Sequence, residues 1–437
     1  VNRTIYTLLL RCLSPVLLSW MWLRARKAGG QWGVFSGRRF GFYPGKAVEH
    51  GQADIWVHAV SLGETRAAQP LVRELLAGGR RILLTHMTAT GREEGGRLFA
   101  EAIADGRLVQ EWLPYDFPGS MRRFLGHYRP KVGVLMEREV WPNLMASAQM
   151  LAIPMVLASA RMSENSARRT AKAGGIMRGA YDGIRMAYAQ TETDAERLRR
   201  AGVKHVRVYG NFKFDMTLPE EQIRAGREFA GRLPMPIISI ASTREGEDAL
   251  FVQAIRQQRT DAVLQKGGDL LGRVLFMLIP RHPQRFAEVE GMLEDSGLPF
   301  LRWSDISAQE DPASSCRDVL VVLGDTIGDM ARHYSASAVS IVAGSFAPLG
   351  GQNLIEACAA GAPVIVGPHT WNFAQAAEDA IGIGAAQRAE NPEQALVLAM
   401  QWLEDEALRA SMSQRGREWV QAHAGAAQRV ASQIMAI

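Results

Sequence analysis

The sequence predicts an α/β fold: two Rossmann-like, doubly wound domains facing a cleft, preceded by an N-terminal membrane-anchor helix. Three observations carry this prediction. Short apolar runs alternate with helical patterns through two stretches of the chain, a polar stretch with prolines separates them, and an apolar segment closed by basic residues precedes both. Such alternation specifies βαβ units and therefore a parallel sheet covered on both faces. At 437 residues the chain is long for one core. Its 47% hydrophobic and 22% charged content is that of a packed protein.

Residues 4–27 read TIYTLLLRCLSPVLLSWMWLRARK, which is enough to cross a bilayer, although Arg11 and Pro15 interrupt the run. Trp20 and Trp22 suit the headgroup level, and Arg24, Arg26 and Lys27 suit an anionic cytoplasmic leaflet. No small-residue cleavage site precedes the basic cluster, which disfavours a signal peptide. Residues 1–30 are therefore expected to span the membrane or lie on its surface, with the rest cytoplasmic. A buried helix of the first domain is the alternative. The eight cations Arg3, Arg11, Arg24, Arg26, Lys27, Arg38, Arg39 and Lys46 all precede the first acid, Glu49, and outnumber the chain's net charge of +5. The remainder is slightly acidic, which argues against a nucleic-acid partner. Cys12, Cys316 and Cys358 follow no metal spacing, as expected of reduced cytosolic thiols.

The first domain, expected over 31–215, offers strands in IWVHAV, RILLTH, VGVLME, PMVLASA, MAYAQT and HVRVYG. A linker is expected over 216–236, with Pro219, Pro234 and Pro236. The second domain, 237–437, offers IISIAST, VLFMLIP, DVLVVL, AVSIVAG and PVIVGP. From Pro392 the chain reads as helix only, packing on the second sheet or crossing back to the first domain.

Ligands of open α/β sheets bind beyond the carboxyl ends of strands. There the first domain places Ser61, Gly63 and Glu64 after IWVHAV, with Glu64 suited to take a proton from a substrate hydroxyl. A cap on its own helix is the plainer role for that acid. Glu137 ends the buried strand VGVLME, where a carboxylate needs a partner. Arg138 and Glu139 follow it. Lys213 lies in GNFKFD at the end of the domain. In the second domain Thr243 and Arg244 follow IISIAST, while Pro280, Arg281 and His282 end VLFMLIP, and an arginine there suits a phosphate. GDTIGDM supplies Gly324, Thr326, Ile327, Gly328 and Asp329. The stretch from Gly344 to His369 sets a glycine-rich turn between a strand and a helix. Its backbone N–H groups suit a phosphate, and Glu356, one turn from Asn353, suits ribose hydroxyls. Such a turn also serves plain strand–helix packing. Arg161, Arg168, Arg169, Lys172 and Arg178 form a basic run, either a site for acceptor phosphates or a solvated face. There is no DxD triplet, GxxxxGK[ST] loop or HExxH motif.

VHAVSLGET, MTATGREEG, LPYDFPGSMRRFL, MEREVWPNL, NFKFD, PRHPQRF, LGDTIGDM and AGSFAPLGGQNLIEACAAGAPVIVGPHTWNF, with LRARK and GRRFGFYPG near the start, together resemble the 3-deoxy-D-manno-oct-2-ulosonic acid (Kdo) transferases. The resemblance runs collinearly over essentially the whole chain. It implies the GT-B glycosyltransferase fold and inverting, metal-independent transfer of Kdo from CMP-Kdo to the lipid A precursor, lipid IVA, in lipopolysaccharide biosynthesis. It also implies a place on the cytoplasmic side of the bacterial inner membrane. No cofactor is implied, CMP-Kdo being the donor substrate. Matched by motif, Glu64 corresponds to the general base, and Glu137 and Lys213 to transition-state support. CMP binding corresponds to Pro280, Arg281, Ile327, Gly328, Asp329, Asn353, Leu354, Ile355 and Glu356. Gln352 departs from the family's usual His. Arg138 also departs, and by pairing with Glu139 it is expected to leave Glu137 the more important acid. A GT-B transferase or epimerase using a UDP-sugar, and a non-catalytic nucleotide-binding membrane protein, are the rival functions. The number of Kdo units transferred is not readable from these motifs.

Overall fold

The computed structural model describes residues 2–44, 53–264 and 273–437. Gly45 of GRRFGFYPG, and Lys46 and Glu49 of the charge pattern, lie outside the described residues. The chain divides into two compact units, Val1–Asp215 with His423–Ile437, and Met216–Ala422.

The first unit holds a seven-stranded parallel sheet. Its strands are β1 (Ile55–His58), β2 (Ile82–His86), β3 (Leu108–Trp112), β4 (Val132–Met136), β5 (Met155–Ala160), β6 (Ile184–Ala189) and β7 (Val206–Val208), in the order β3-β2-β1-β4-β5-β6-β7. Side chains alternate across a strand, so Ile55 and Val57 join one core layer with Leu71, Leu75 and Val134. Trp56 enters the opposite layer with Phe124, Leu135 and Leu157. The last helix, Ala426–Met435, belongs to this unit and packs Val430 and Ile434 into the first layer. Its start is held by Asp215 of NFKFD, whose carboxylate accepts from the N–H groups of Gly425, Ala426 (3.1 Å) and Ala427 (2.7 Å).

The second unit holds β8 (Ile237–Thr243), β9 (Leu275–Pro280), β10 (Phe300–Arg302), β11 (Val321–Leu323), β12 (Val339–Val342), β13 (Val364–Val366) and β14 (Ala386–Arg388), in the order β10-β11-β9-β8-β12-β13-β14 and again parallel. The two doubly wound α/β units predicted from the sequence are thus both observed.

Every strand expected from the sequence is present, and three further strands, β3, β10 and β14, were not expected. All three are sheet edges. An edge strand is short and needs no continuous apolar run: β10 and β14 have three residues each, and β3 carries Gln110 and Glu111. The stretch 216–236 contains a helix, Glu220–Arg232, whose Phe229 meets Trp303 edge-on in the second unit's core.

The N-terminal helix runs from Arg3 to Ala28 with Pro15 inside it. It is long and apolar enough to cross a membrane, and its apolar window is not buried in the protein. Leu8, Leu9, Val16, Trp20 and Leu23 are exposed, so the alternative of a buried helix fails. Arg24 and Arg26 lie over Trp20 and Trp22, at 5.5 and 4.8 Å from the ring centroids. Its first turns are fastened to the first unit. The Tyr6 hydroxyl donates to Asp116 (3.0 Å) and Thr7 Oγ1 to Asn143 (3.2 Å). Asp116 also accepts from the N–H groups of Asn143 (3.1 Å) and Leu144 (2.7 Å), so one buried carboxylate ties the N-terminal helix to the start of helix Pro142–Met150.

Candidate active site

The first connections run outward in opposite directions from the adjacent strands β1 and β4 in the first sheet and from β8 and β12 in the second. Loops leaving neighbouring strands there diverge and open a crevice at the carboxyl ends. Glu64 follows β1 and Glu137 follows β4, so the first unit's reversal point receives both acids predicted from the sequence.

Glu64 lies in the first turn of helix Leu62–Ala77. Its Oε2 accepts at 2.6 Å from the N–H of Val60, which lies upstream of that helix and its N-cap Ser61. Burial pushes the carboxyl up to about 7, against the Val60 hydrogen bond and Arg138, which favour the charged form, and with the help of Glu139 and Glu137. A carboxylate so shifted is half charged near neutrality, where a general base is most effective.

Glu137 is 6% exposed and adopts φ 55°, a left-handed conformation that costs a non-glycine residue roughly 1–2 kcal/mol. That turn brings its carboxylate to Arg161, whose Nε donates at 2.6 Å. Among the described residues no ion pair joins Arg138 to Glu139, although the Arg138 charge favours ionised Glu139. Glu139 instead accepts from the Trp141 indole N–H at 3.1 Å, and burial raises its carboxyl in spite of Arg138. Lys213 is lowered by burial, with Glu137 opposing and Arg161 reinforcing the shift. Glu64, Glu137 and Lys213, far apart in sequence, thus share one electrostatic neighbourhood. Arg161 leaves the basic run, being committed to Glu137, while Arg168, Arg169, Lys172 and Arg178 are exposed.

In the second unit the sequence missed Glu247. This residue is 0% exposed and opens the helix after β8. Its carboxylate accepts from the N–H groups of Gly344 (2.6 Å), Phe346 (2.8 Å), Ala347 (3.1 Å) and Arg244 (2.9 Å). The first N–H groups of the glycine-rich turn, expected to hold a phosphate, are therefore occupied by the protein's own carboxylate. The turn is shaped by Gly344 and Gly350 at φ 71° and 93°. A Cβ at Gly350 would lie 2.3 Å from Asn372 Nδ2, and one at Gly344 2.8 Å from Gln352 Cγ. Asn353 caps the helix Leu354–Ala360, its Oδ1 accepting from Ile355 N at 3.2 Å. Leu354 and Ile355 are buried, so only their backbone can meet a ligand.

The buried Tyr334 feels the charges of both Glu356 and Arg281. Arg281 is exposed after the buried end of β9 at Pro280, its N–H donating to the Thr243 carbonyl at 2.9 Å. Tyr334 sits on the helix Met330–Ala336 that Asp329 begins. Asp329 accepts from Thr326 Oγ1 at 2.5 Å, Gly328 has φ 97°, and Ile327 is 77% exposed. Thr243 is buried and its hydroxyl donates to Asp248, which removes it as a ligand.

A family model for 3-deoxy-D-manno-octulosonic-acid transferase (kdotransferase) matches residues 36–216. The 3-deoxy-D-manno-octulosonic acid transferase of Bordetella pertussis is 52% identical over 429 residues, covering 98% of both chains. That of Haemophilus influenzae is 31% identical over 435 residues, covering 98% of this chain and 97% of its own. Among solved structures, the UDP-GlcNAc 2-epimerase from Neisseria meningitidis aligns with a TM-score of 0.56 at 14% identity, over 87% of this chain and 99% of that one. A glycosyltransferase from Rickettsia africae aligns with a TM-score of 0.55 at 13% identity, over 88% and 99%. At such identities the solved structures speak for the fold alone. The full-length likeness to the two curated enzymes places the chain in the Kdo transferase family, and hence among the glycosyltransferases of GT-B fold.

Proposed function

We propose that this protein transfers Kdo from CMP-Kdo to the lipid A precursor by a single inverting displacement without a metal. The observation that carries the mechanism is the state of Glu64, a carboxyl raised to about 7 in the company of Glu137 and Lys213. An acceptor hydroxyl attacks the anomeric carbon of Kdo, Glu64 takes its proton, and cytidine monophosphate leaves. One displacement needs one base. Lys213 and Arg161 beside Glu137 provide fixed positive charge for the carboxylate-bearing sugar and the developing negative charge.

The donor's nucleotide is assigned to the second unit. Arg281 takes phosphate, Glu356 takes ribose hydroxyls, and the backbone at Ile327–Asp329 and Asn353–Ile355 completes the site, with Pro280 shaping the end of β9. The apolar, unburied N-terminal helix with its basic end supports attachment to the cytoplasmic leaflet of the inner membrane. The test is a donor panel. CMP-Kdo should support transfer to lipid IVA while UDP-sugars do not; turnover with a UDP-sugar in preference to CMP-Kdo would overturn the proposal.

A further inference from the structure

We infer that Arg39 is a positioning residue for Glu64, acting through a chain of hydrogen bonds that begins in the segment following the anchor helix. The inference rests on the assignment of Glu64 as the base. Arg39, on the short turn Gly37–Phe40, is 0% exposed, and among the described residues no carboxylate pairs with it. Its guanidinium lies 4.1 Å from the Trp112 ring centroid. It donates to the carbonyls of Trp32 (3.0 Å), Met87 (2.8 Å) and Leu113 (3.3 Å), and contacts the Met87 thioether at 3.1 Å. A buried cation held by neutral acceptors is a poor way to gain stability, and an apolar side chain would serve better.

What the cation fixes is the loop after β2. The N–H groups of Met87 (3.0 Å) and Thr88 (3.1 Å), and the Thr88 hydroxyl (3.2 Å), all donate to the Val60 carbonyl. The Val60 N–H in turn donates to Glu64 Oε2 at 2.6 Å. Thr88 also accepts from Gly91 N at 3.2 Å. A Cβ at Gly91 would lie 3.0 Å from the Ser61 carbonyl carbon, so the loops after β1 and β2 are in close contact. The charged or titratable groups around Arg39 are Tyr115, Arg92, Glu111 and Tyr43, together with the buried His58 and His86, both of which feel its charge. Those around Glu64 are Glu139, Glu137 and Arg138.

The test uses the full-length protein in detergent micelles with Arg39→Met, Arg39→Lys and Thr88→Val. Each should lower kcat by about tenfold or more, the order expected when a reacting group is misplaced by a fraction of an ångström, while CMP affinity stays unchanged. Losing the Val60 hydrogen bond removes support for the charged carboxylate, so the ascending limb of kcat/KM should move to higher pH. Thr88→Val deletes no charge, and its shift separates the loop contact from a through-space effect of the guanidinium. A limb that moves in Arg39→Met but not in Thr88→Val overturns the inference, as does kcat within about twofold of wild type in both. Should Arg39→Met fail to fold, Arg39→Lys and Thr88→Val decide alone. Full activity in Glu64→Gln would instead remove the base assignment, whatever the Arg39 variants do.

Discussion

Replacing Glu247 by Gln tests whether the donor-side turn is organised by a buried carboxylate. In the native protein Oε2 accepts from Gly344 and Arg244 and Oε1 from Phe346 and Ala347. Glutamine retains one acceptor oxygen and turns an NH2 toward the other pair, so two N–H groups at least partly withdrawn from solvent lose their partner. At about 1–3 kcal/mol for each unsatisfied buried donor, the loss is about 2–6 kcal/mol. For a unit the size of Met216–Ala422 that lowers Tm by about 5–20 °C. CMP affinity should fall by at least about tenfold, because the backbone from Gly344 to Asn353 is no longer held. Calorimetry and a CMP titration on the same preparation measure both effects. A Tm within about 1 °C of wild type, with CMP affinity within about twofold, would refute the role given to Glu247.

The pH profile of transfer should reflect Glu64. With its carboxyl at about 7, the fraction able to accept a proton at pH 5 is roughly one in a hundred. The rate should therefore rise with pH through neutrality instead of through the ordinary carboxylate range; a limb near pH 4.5 would contradict the burial argument. Asp215→Ala removes the acceptor for three N–H groups at the start of Ala426–Met435 and should cost about 1–2 kcal/mol, typical of a lost cap. Hydrogen exchange should quicken in that helix, and unchanged protection there would show that packing of Val430 and Ile434 suffices.

Interior strands were legible because burial on both faces forces continuous apolar runs, as in IISIAST and VLFMLIP. The edge strands β3, β10 and β14 carry no such demand, and LVQEW looks like a loop until its neighbour β2 is in place. At the sites, the sequence located acids at strand ends but not their company. Arg138 adjoins Glu139, yet burial governs Glu139, and the arginine that pairs with Glu137 comes from the end of the next strand, 24 residues on. Glu247 was invisible for a similar reason: its partner Gly344 lies 97 residues away, and nothing local distinguishes it from Glu245, which is exposed and pairs with Arg244. Polar contacts between strand ends depend on sheet order, which periodicity does not encode.

On the proposed mechanism Glu64 takes the acceptor's proton while the donor nucleotide binds in the other unit. A single-turnover experiment with CMP-Kdo and lipid IVA, following CMP release and product mass for wild type and Glu64→Gln, addresses it most directly. Wild type should yield CMP together with acceptor heavier by one or more Kdo units. The variant should bind CMP with unchanged affinity and lose at least about a hundredfold in rate. Wild-type turnover by Glu64→Gln would contradict it.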